Sequence, residues 1–149
     1  MDTHVPLISM RSTGPLGLVH LPRLWLKMRL AAKGKLAEGY RAGKGGADEA
    51  LLNALGLDAD VTAAFVAESQ PTYLAFEAWI KENAASERLT PEAIDQFNER
   101  ILSFPKPEPE RSEMLDRVGL PKDDTMWIAT DLNDQDDWHG FHLALLDED

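Results

Sequence analysis

The residues whose types could do chemistry together lie in the first third of the chain, between His20 and Tyr40. A histidine titrates near neutral pH and can accept or give a proton. An arginine can hold a carboxylate through two parallel hydrogen bonds, and a tyrosine can donate to a developing oxyanion. We therefore predict His20, Arg23 and Tyr40 as catalytic residues of an acid–base enzyme.

A second set of side chains is predicted to bind the substrate. Lysines near Arg23 add positive charge for an anionic group, and the chain's four tryptophans could wall a pocket for an aromatic ligand. The predicted substrate-binding residues are Trp25, Lys27, Lys35, Trp79 and Trp127. A structural interpretation stays open, in which His20 and Tyr40 are core residues and Arg23 pairs with acidic parts of the chain.

Other chemistries find little support in the sequence. The chain has no cysteine, which excludes thiolate chemistry and disulfides. The run Gly43–Gly46 lacks the spacing and the following Ser or Thr of a nucleotide phosphate loop. His139 and His142 are three residues apart beside several acids, but a surface role is the simpler interpretation. We predict neither a metal site nor a cofactor.

The net charge of −11 conceals a strong asymmetry. Residues 1–46 carry eight Lys and Arg against two acids, whereas residues 47–149 carry seven cations against 24 acids. We favour intramolecular neutralisation, with a basic helix lying on an acidic body. The alternative is that some cations line a pocket for an anionic ligand. The acidic excess would repel a phosphate backbone, so we predict no nucleic-acid partner.

Length and hydropathy point to one small domain. A chain of 149 residues is long enough for a core of its own. No apolar run approaches the roughly 20 residues that cross a bilayer, and the first residues do not resemble a signal peptide. We predict a cytoplasmic protein with no membrane contact and leave a homodimer open.

Apolar spacing predicts a central helix over Pro22–Lys33, with Leu21, Leu24, Trp25 and Met28 on its buried side and Gly34 ending it. Arg23 and Lys27 lie four residues apart on a separate face. Turn and capping residues delimit further helices, predicted as Ala47–Leu55, Ala59–Glu68, Thr72–Asn83, one starting at Thr90-Pro91, and Glu110–Val118.

The remaining segments are expected to be irregular. Residues 1–10 form an N-terminal arm, and residues 105–109 form a proline-rich connector. Thr125–Thr130 is the one plausible strand or extended stretch, and residues 131–149 form a docked, acidic ending that frays over 146–149. The predicted fold is a mainly α, single-domain bundle of five or six short helices, with extended N- and C-terminal segments.

The chain resembles a bacterial family over nearly its whole length. The resemblance rests most on Leu21-Pro22-Arg23-Leu24 with the basic, alanine-rich helix after it, and it extends to the following elements: Arg11-Ser12, Leu16-Gly17, Lys35-Leu36, Tyr40, Leu51-Leu52, Leu55-Gly56-Leu57, Trp79, the helix in the 90s and Asp124-Thr125-x-Trp127. These segments are similar to the domain-of-unknown-function 5069 family. The resemblance implies a small, cytoplasmic, mainly helical protein and implies no activity or catalytic residue.

Two segments depart from the family pattern. Trp25-Leu26-Lys27-Met28 is bulkier and more apolar than the usual run, and the ending around Trp138–His142 also differs.

Together these patterns favour a cofactor-independent lyase or isomerase acting by acid–base chemistry on a small anionic substrate that an aromatic ring would suit. The alternative is a non-catalytic interaction module or accessory subunit that docks an acidic partner through its basic N-terminal face.

Overall fold

Helices make up nearly all of the regular structure in residues 3–148, the part of the chain that the computed structural model describes. This confirms the predicted mainly α fold class, with seven α-helices in that range rather than five or six. They are α1 (Leu21–Ala32), α2 (Gly46–Leu55), α3 (Ala59–Ser69), α4 (Tyr73–Asn83), α5 (Pro91–Ser103), α6 (Glu110–Val118) and α7 (Ala129–Leu146), with a short 3-10 helix at Ser86–Arg88.

Local sequence signals explain where most of these helices begin and end. Asp58 accepts a hydrogen bond from the amide of Val61 at the start of α3, and Thr90 accepts one from Ala93 at the start of α5. Such bonds satisfy amides that have no partner inside a helix. Gly119 ends α6 in the left-handed conformation that glycine adopts without strain. The bounds predicted for α1 to α4 and α6 agree with the structure to within one residue.

The main core lies where α1 to α5 meet. Helix α1 packs against α3 and α4, and α2 packs against α5. Fully buried side chains from four of these helices fill the centre, among them Leu24, Leu51, Val66 and Phe76. A smaller apolar cluster of Met114, Leu115 and Leu132 joins α6 to α7. As predicted, Leu21, Leu24 and Met28 form the buried side of α1, while Trp25 is only partly buried beside the core.

The C-terminal part of the chain corrects the prediction of a strand at Thr125–Thr130. Ile128 forms one isolated antiparallel bridge with Pro105, and α7 begins at the next residue. The segment after it is helical rather than extended. Only its first half is docked, because Trp138, Phe141 and Leu143 are 58%, 42% and 47% exposed.

The N-terminal arm, described from Thr3 onward, pairs with the residues that follow α1. His4 forms an isolated parallel bridge with Leu36, and its amide donates to the Lys35 carbonyl at 2.7 Å. Pro6 and Met10 are buried. Residues 1, 2 and 149 lie outside the described range, so part of the predicted arm and the end of the predicted frayed tail are not covered.

Candidate functional site

A cavity of about 290 Å³ opens beside the N-terminal half of α1. Helix α1 contributes His20 just before its first turn and then Arg23 and Lys27, which follow on the same face at helical spacing. The segment between α1 and α2 adds Tyr40, and the first turn of α2 adds Asp48. The side chains that the sequence singled out therefore meet residues from distant parts of the chain.

A buried polar cluster of three side chains forms one wall of this cavity. His20 Nε2 lies 2.6 Å from Asp48 Oδ1, and Lys27 Nζ donates to Asp48 Oδ2 at 2.8 Å. The amide of Gly43 donates to the same Oδ2 at 2.9 Å. His20 and Asp48 are each only 2% exposed. Asp48 therefore binds α1, α2 and the segment between them at one point.

Burial and hydrogen bonding set the protonation states of His20 and Asp48 in this cluster. Burial alone would raise the pKa of Asp48, but the hydrogen bond from His20 and the charge of Lys27 outweigh it and lower that pKa to about 2. Burial lowers the pKa of His20 despite the attraction of Asp48. At neutral pH a neutral ring thus donates its Nε2 proton to an ionised carboxylate. Nδ1 then carries the free lone pair, and it has no hydrogen-bond partner among residues 3–148.

Arg23 is the centre of a second buried cluster. Its guanidinium holds Asp137 of α7 with two hydrogen bonds, 2.6 Å to Oδ2 and 3.1 Å to Oδ1. It also donates to the carbonyls of Pro6 and Ile8 in the N-terminal arm, at 2.7 and 2.9 Å. Tyr40 donates its hydroxyl proton to Asp137 Oδ1 at 2.8 Å. Arg23 is 4% exposed, and its hydrogen bonds join the N-terminal arm and α7 to α1.

The hydroxyl of Tyr40 is fixed in its protonated form. Burial and the negative charge of Asp137 raise the pKa of Tyr40 above its ordinary value. The phenol therefore acts as a hydrogen-bond donor in this site. The centroid of its ring also lies 5.9 Å from the guanidinium carbon of Arg23.

Two cations that line the cavity form no ion pair with an acid in the described part of the chain. Within residues 3–148, neither Arg41 nor Lys106 forms an ion pair, although Lys44, Arg117 and others do. Lys106 lies between Pro105 and Pro107, and burial lowers the pKa of its ammonium group, opposed by the charges of Glu110 and Asp136. These two side chains remain available to an anion from outside.

The other predicted binding residues lie away from the cavity. Trp25 meets the edge of Tyr73 with ring centroids 5.9 Å apart, and its indole donates to the Pro71 carbonyl at 3.0 Å. Trp79 stacks on Phe65 at 4.7 Å. Trp127 lies under the guanidinium of Arg111, 3.8 Å from ring centroid to carbon, and Lys35 is exposed. The structure thus brings His20, Arg23, Lys27 and Tyr40 together and leaves the tryptophans and Lys35 outside.

Four residues of the site were not predicted: Arg41, Asp48, Lys106 and Asp137. The two aspartates carry no local signal, because the chain has 26 acidic residues and nothing near either one marks it. Lys106 had one recognisable feature, its place between two prolines in a stiff segment. Arg41 directly follows Tyr40 in the glycine-rich connector, which could have drawn attention to it.

Other site types have no clear candidate. Within residues 3–148, no three His, Asp or Glu side chains are grouped closely enough to hold a metal ion. No single helix in that range has the length and apolar character to cross a membrane.

Comparison with known protein families gives a match over most of the chain. A family model described as a domain of unknown function (DUF5069) covers residues 6–138 of the chain, which includes α1 to α6, the first half of α7 and every cavity residue named above. No curated protein matches the chain.

Proposed function

The chain belongs to the DUF5069 family, and since that description gives no activity, we propose a function from the cavity itself: a cofactor-independent lyase or isomerase that moves a proton on a small anionic molecule. The observation that carries this proposal is the neutral His20 in the cavity wall. It is held on Asp48, its buried second ring nitrogen has no partner in residues 3–148, and two cations of the same cavity form no ion pair within that range.

His20 is proposed as the proton acceptor. Asp48 fixes the tautomer by accepting from Nε2, and it would stabilise the imidazolium that forms when Nδ1 takes up a proton. Lys27 on the second oxygen of Asp48 keeps the carboxylate ionised throughout. A base of this kind contributes about 10²- to 10⁴-fold to a proton-transfer step.

The anion is proposed to bind between Arg41 and Lys106. The guanidinium of Arg23, first predicted for this role, is already occupied by Asp137 and two backbone carbonyls. It acts as a positioning residue, since it fixes Tyr40 and the arm around the cavity. Tyr40 is proposed as a second positioning residue at the cavity wall, because its raised pKa keeps the phenol protonated and its one hydroxyl proton is donated to Asp137.

The alternative of an interaction module with a basic docking face has less support. Arg11 pairs with Asp131 and Asp134 of α7, and Arg23 pairs with Asp137. Much of the N-terminal positive charge is therefore neutralised within the chain, as the favoured interpretation of the charge asymmetry predicted. A cytoplasmic location and a homodimer stay predictions.

Exchange of substrate protons with solvent deuterium tests the proposed reaction class. The protein is incubated in D₂O with small oxo acids that carry an acidic C–H bond (pyruvate, 2-oxoglutarate, acetoacetate, phenylpyruvate), and loss of the C–H signal is followed by ¹H NMR against a protein-free blank. We expect catalysed exchange for at least one acid, reduced about 100-fold or more in His20→Gln.

Lys33→Gln is the matched control, because Lys33 is exposed beyond the end of α1 and does not line the cavity. It should exchange at the wild-type rate. Absence of catalysed exchange across the panel, or full exchange by a folded His20→Gln protein, contradicts the proposal.

A further inference from the structure

A second cavity of about 430 Å³ adjoins the first one. The two cavities share seven lining residues, including Arg41, Lys106 and Asn133. The walls that belong to the second cavity alone are apolar except for Arg100: Ala50 of α2, Ile101 and Phe104 at the end of α5, Pro107, and Ala129 of α7. A polar compartment and an apolar compartment therefore meet at Arg41 and Lys106.

The backbone fixes the position of Lys106 and leaves space for Arg41 at this junction. The amide of Lys106 donates to the Trp127 carbonyl at 2.8 Å, and prolines flank the residue on both sides. Arg41 lies across Gly45, where a Cβ atom would come within 2.7 Å of the guanidinium and where φ is +76°. Glycine at this position thus leaves room for the arginine. Ligand pockets in general combine apolar walls with a few fixed polar groups of this kind.

The charge of the site limits the kind of anion it suits. The joined cavities are lined, within residues 3–148, by seven Lys and Arg side chains (Arg100 only in the second cavity) and five Asp and Glu side chains, a formal balance of +2 with His20 neutral. This balance favours an anion. At the junction itself Glu110 and Asp136 act on Lys106, so a dianionic phosphate would meet more repulsion there than a carboxylate with a single charge. The planar fork of an arginine also fits a carboxylate.

We propose that the joined cavities bind a small amphipathic carboxylate. Its carboxylate lies between Arg41 and Lys106, and its apolar body, a phenyl ring or a short acyl chain, lies against Ala50, Ile101 and Phe104. This inference rests on the proposed function, because it takes the same cavity as the substrate site, and it adds the class of substrate.

Three probes separate the contributions of head and body: 3-phenylpropionate, propionate and 3-phenylpropanol. Binding is measured by titration of the ¹⁵N-labelled full chain, followed by its amide resonances. We expect 3-phenylpropionate to bind with a Kd of about 1 mM or tighter, and propionate and 3-phenylpropanol to bind at least about tenfold more weakly. Phenyl phosphate should also bind more weakly than 3-phenylpropionate.

Substitutions in each compartment test where the carboxylate and the apolar body of the ligand bind. Arg41→Gln and Lys106→Gln should each lower the affinity for 3-phenylpropionate severalfold and leave the affinity for 3-phenylpropanol unchanged. Ala50→Leu fills the apolar compartment and should lower the affinity for 3-phenylpropionate to that for propionate. Phe104→Ala should lower the affinity for 3-phenylpropionate as well. Lys33→Gln is again the matched control and should bind all probes as the wild type does.

Equal affinity for 3-phenylpropionate and propionate, or equal affinity for 3-phenylpropionate and 3-phenylpropanol, overturns the inference. So does failure of all three probes to bind, or tighter binding of phenyl phosphate. The results of this binding experiment can be told apart from those of the proton-exchange experiment. Selective binding without proton exchange contradicts only the reaction, whereas exchange on a small oxo acid without any gain from an apolar body contradicts only the inference.

Discussion

At the scale of single residues, His20 is the most unusual position in the described chain. Its φ of +72° lies in the left-handed region, where few residues other than glycine are found and where histidine is somewhat enriched. Its carbonyl still accepts from the amide of Leu24 at 2.9 Å, so α1 begins normally. This backbone conformation accompanies a buried ring on Asp48 with one nitrogen unpartnered. Strain of this kind is typical of functional sites.

The buried state of His20 predicts a loss of stability in mild acid. Because burial lowers the pKa of His20 in the folded chain, the unfolded chain binds a proton at this residue below about pH 6.5 before the folded chain does. Stability therefore falls as the pH falls. One such proton changes the free energy of unfolding by at most about 1.4 kcal/mol per pH unit. Urea unfolding at pH 7.5, 6 and 5 measures this slope.

His20→Gln should flatten that slope between pH 7 and 5, while His142→Gln, at an exposed position, should keep it. Asp48 does not interfere in this window. Its pKa of about 2 means that its own contribution is lost only as the pH falls below about 4. An unchanged slope in His20→Gln would show that the ring is not held neutral by burial.

At the scale of elements, sequence reasoning succeeded where the signals are local. Asp58 and Thr90 begin helices because a side-chain oxygen next to a free amide is read directly from residue type. It failed at α7 because the inner face of that helix includes Asp137, while Trp138 and Leu145 lie outside. Apolar periodicity is lost when an acid occupies a core-facing position to meet a distant arginine. The β-branched and aromatic residues of Thr125–Thr130 then favoured a strand.

Removal of a helix cap gives a prediction at this scale. Thr90→Ala removes the oxygen that accepts from the Ala93 amide at 3.2 Å, and it should lower the free energy of unfolding by about 1 kcal/mol. Urea unfolding at neutral pH measures the loss. Thr13→Ala, in an exposed loop, is the control and should change stability by less than about 0.5 kcal/mol. A loss no larger than that of the control would mean that the cap contributes little to α5.

At the scale of the whole molecule, the two oppositely charged parts of the chain meet at defined pairs. Arg23 and Asp137 are 114 residues apart in sequence, and Arg11 and Asp134 are 123 apart. The sequence predicted that the charges would neutralise one another, and it brought His20, Arg23, Lys27 and Tyr40 to attention. It could not select Asp48 and Asp137 from 26 acids, because long-range pairing depends on how the helices pack.

Removal of the Arg23 side-chain charge should be strongly destabilising. Arg23→Met leaves Asp137 buried without its partner, which costs about 3–5 kcal/mol in such cases. The double variant Arg23→Met/Asp137→Leu should recover a large part of that loss. Urea unfolding measures both, with Lys44→Met as the control, since its pair with Asp60 is exposed and contributes about 1 kcal/mol or less. A loss for Arg23→Met no larger than this would contradict the role assigned to the cluster.

The position of Arg23 also bears on which parts of the molecule open together. One guanidinium holds the arm through Pro6 and Ile8 and holds α7 through Asp137, which in turn accepts from Tyr40. Release of either end leaves the other with fewer contacts. The arm, the α1–α2 connector and the docked half of α7 should therefore behave as one cooperative unit in hydrogen exchange. Helices α3 and α4 pack on α1 and are not held by this guanidinium, so they can keep their amides protected when that unit opens.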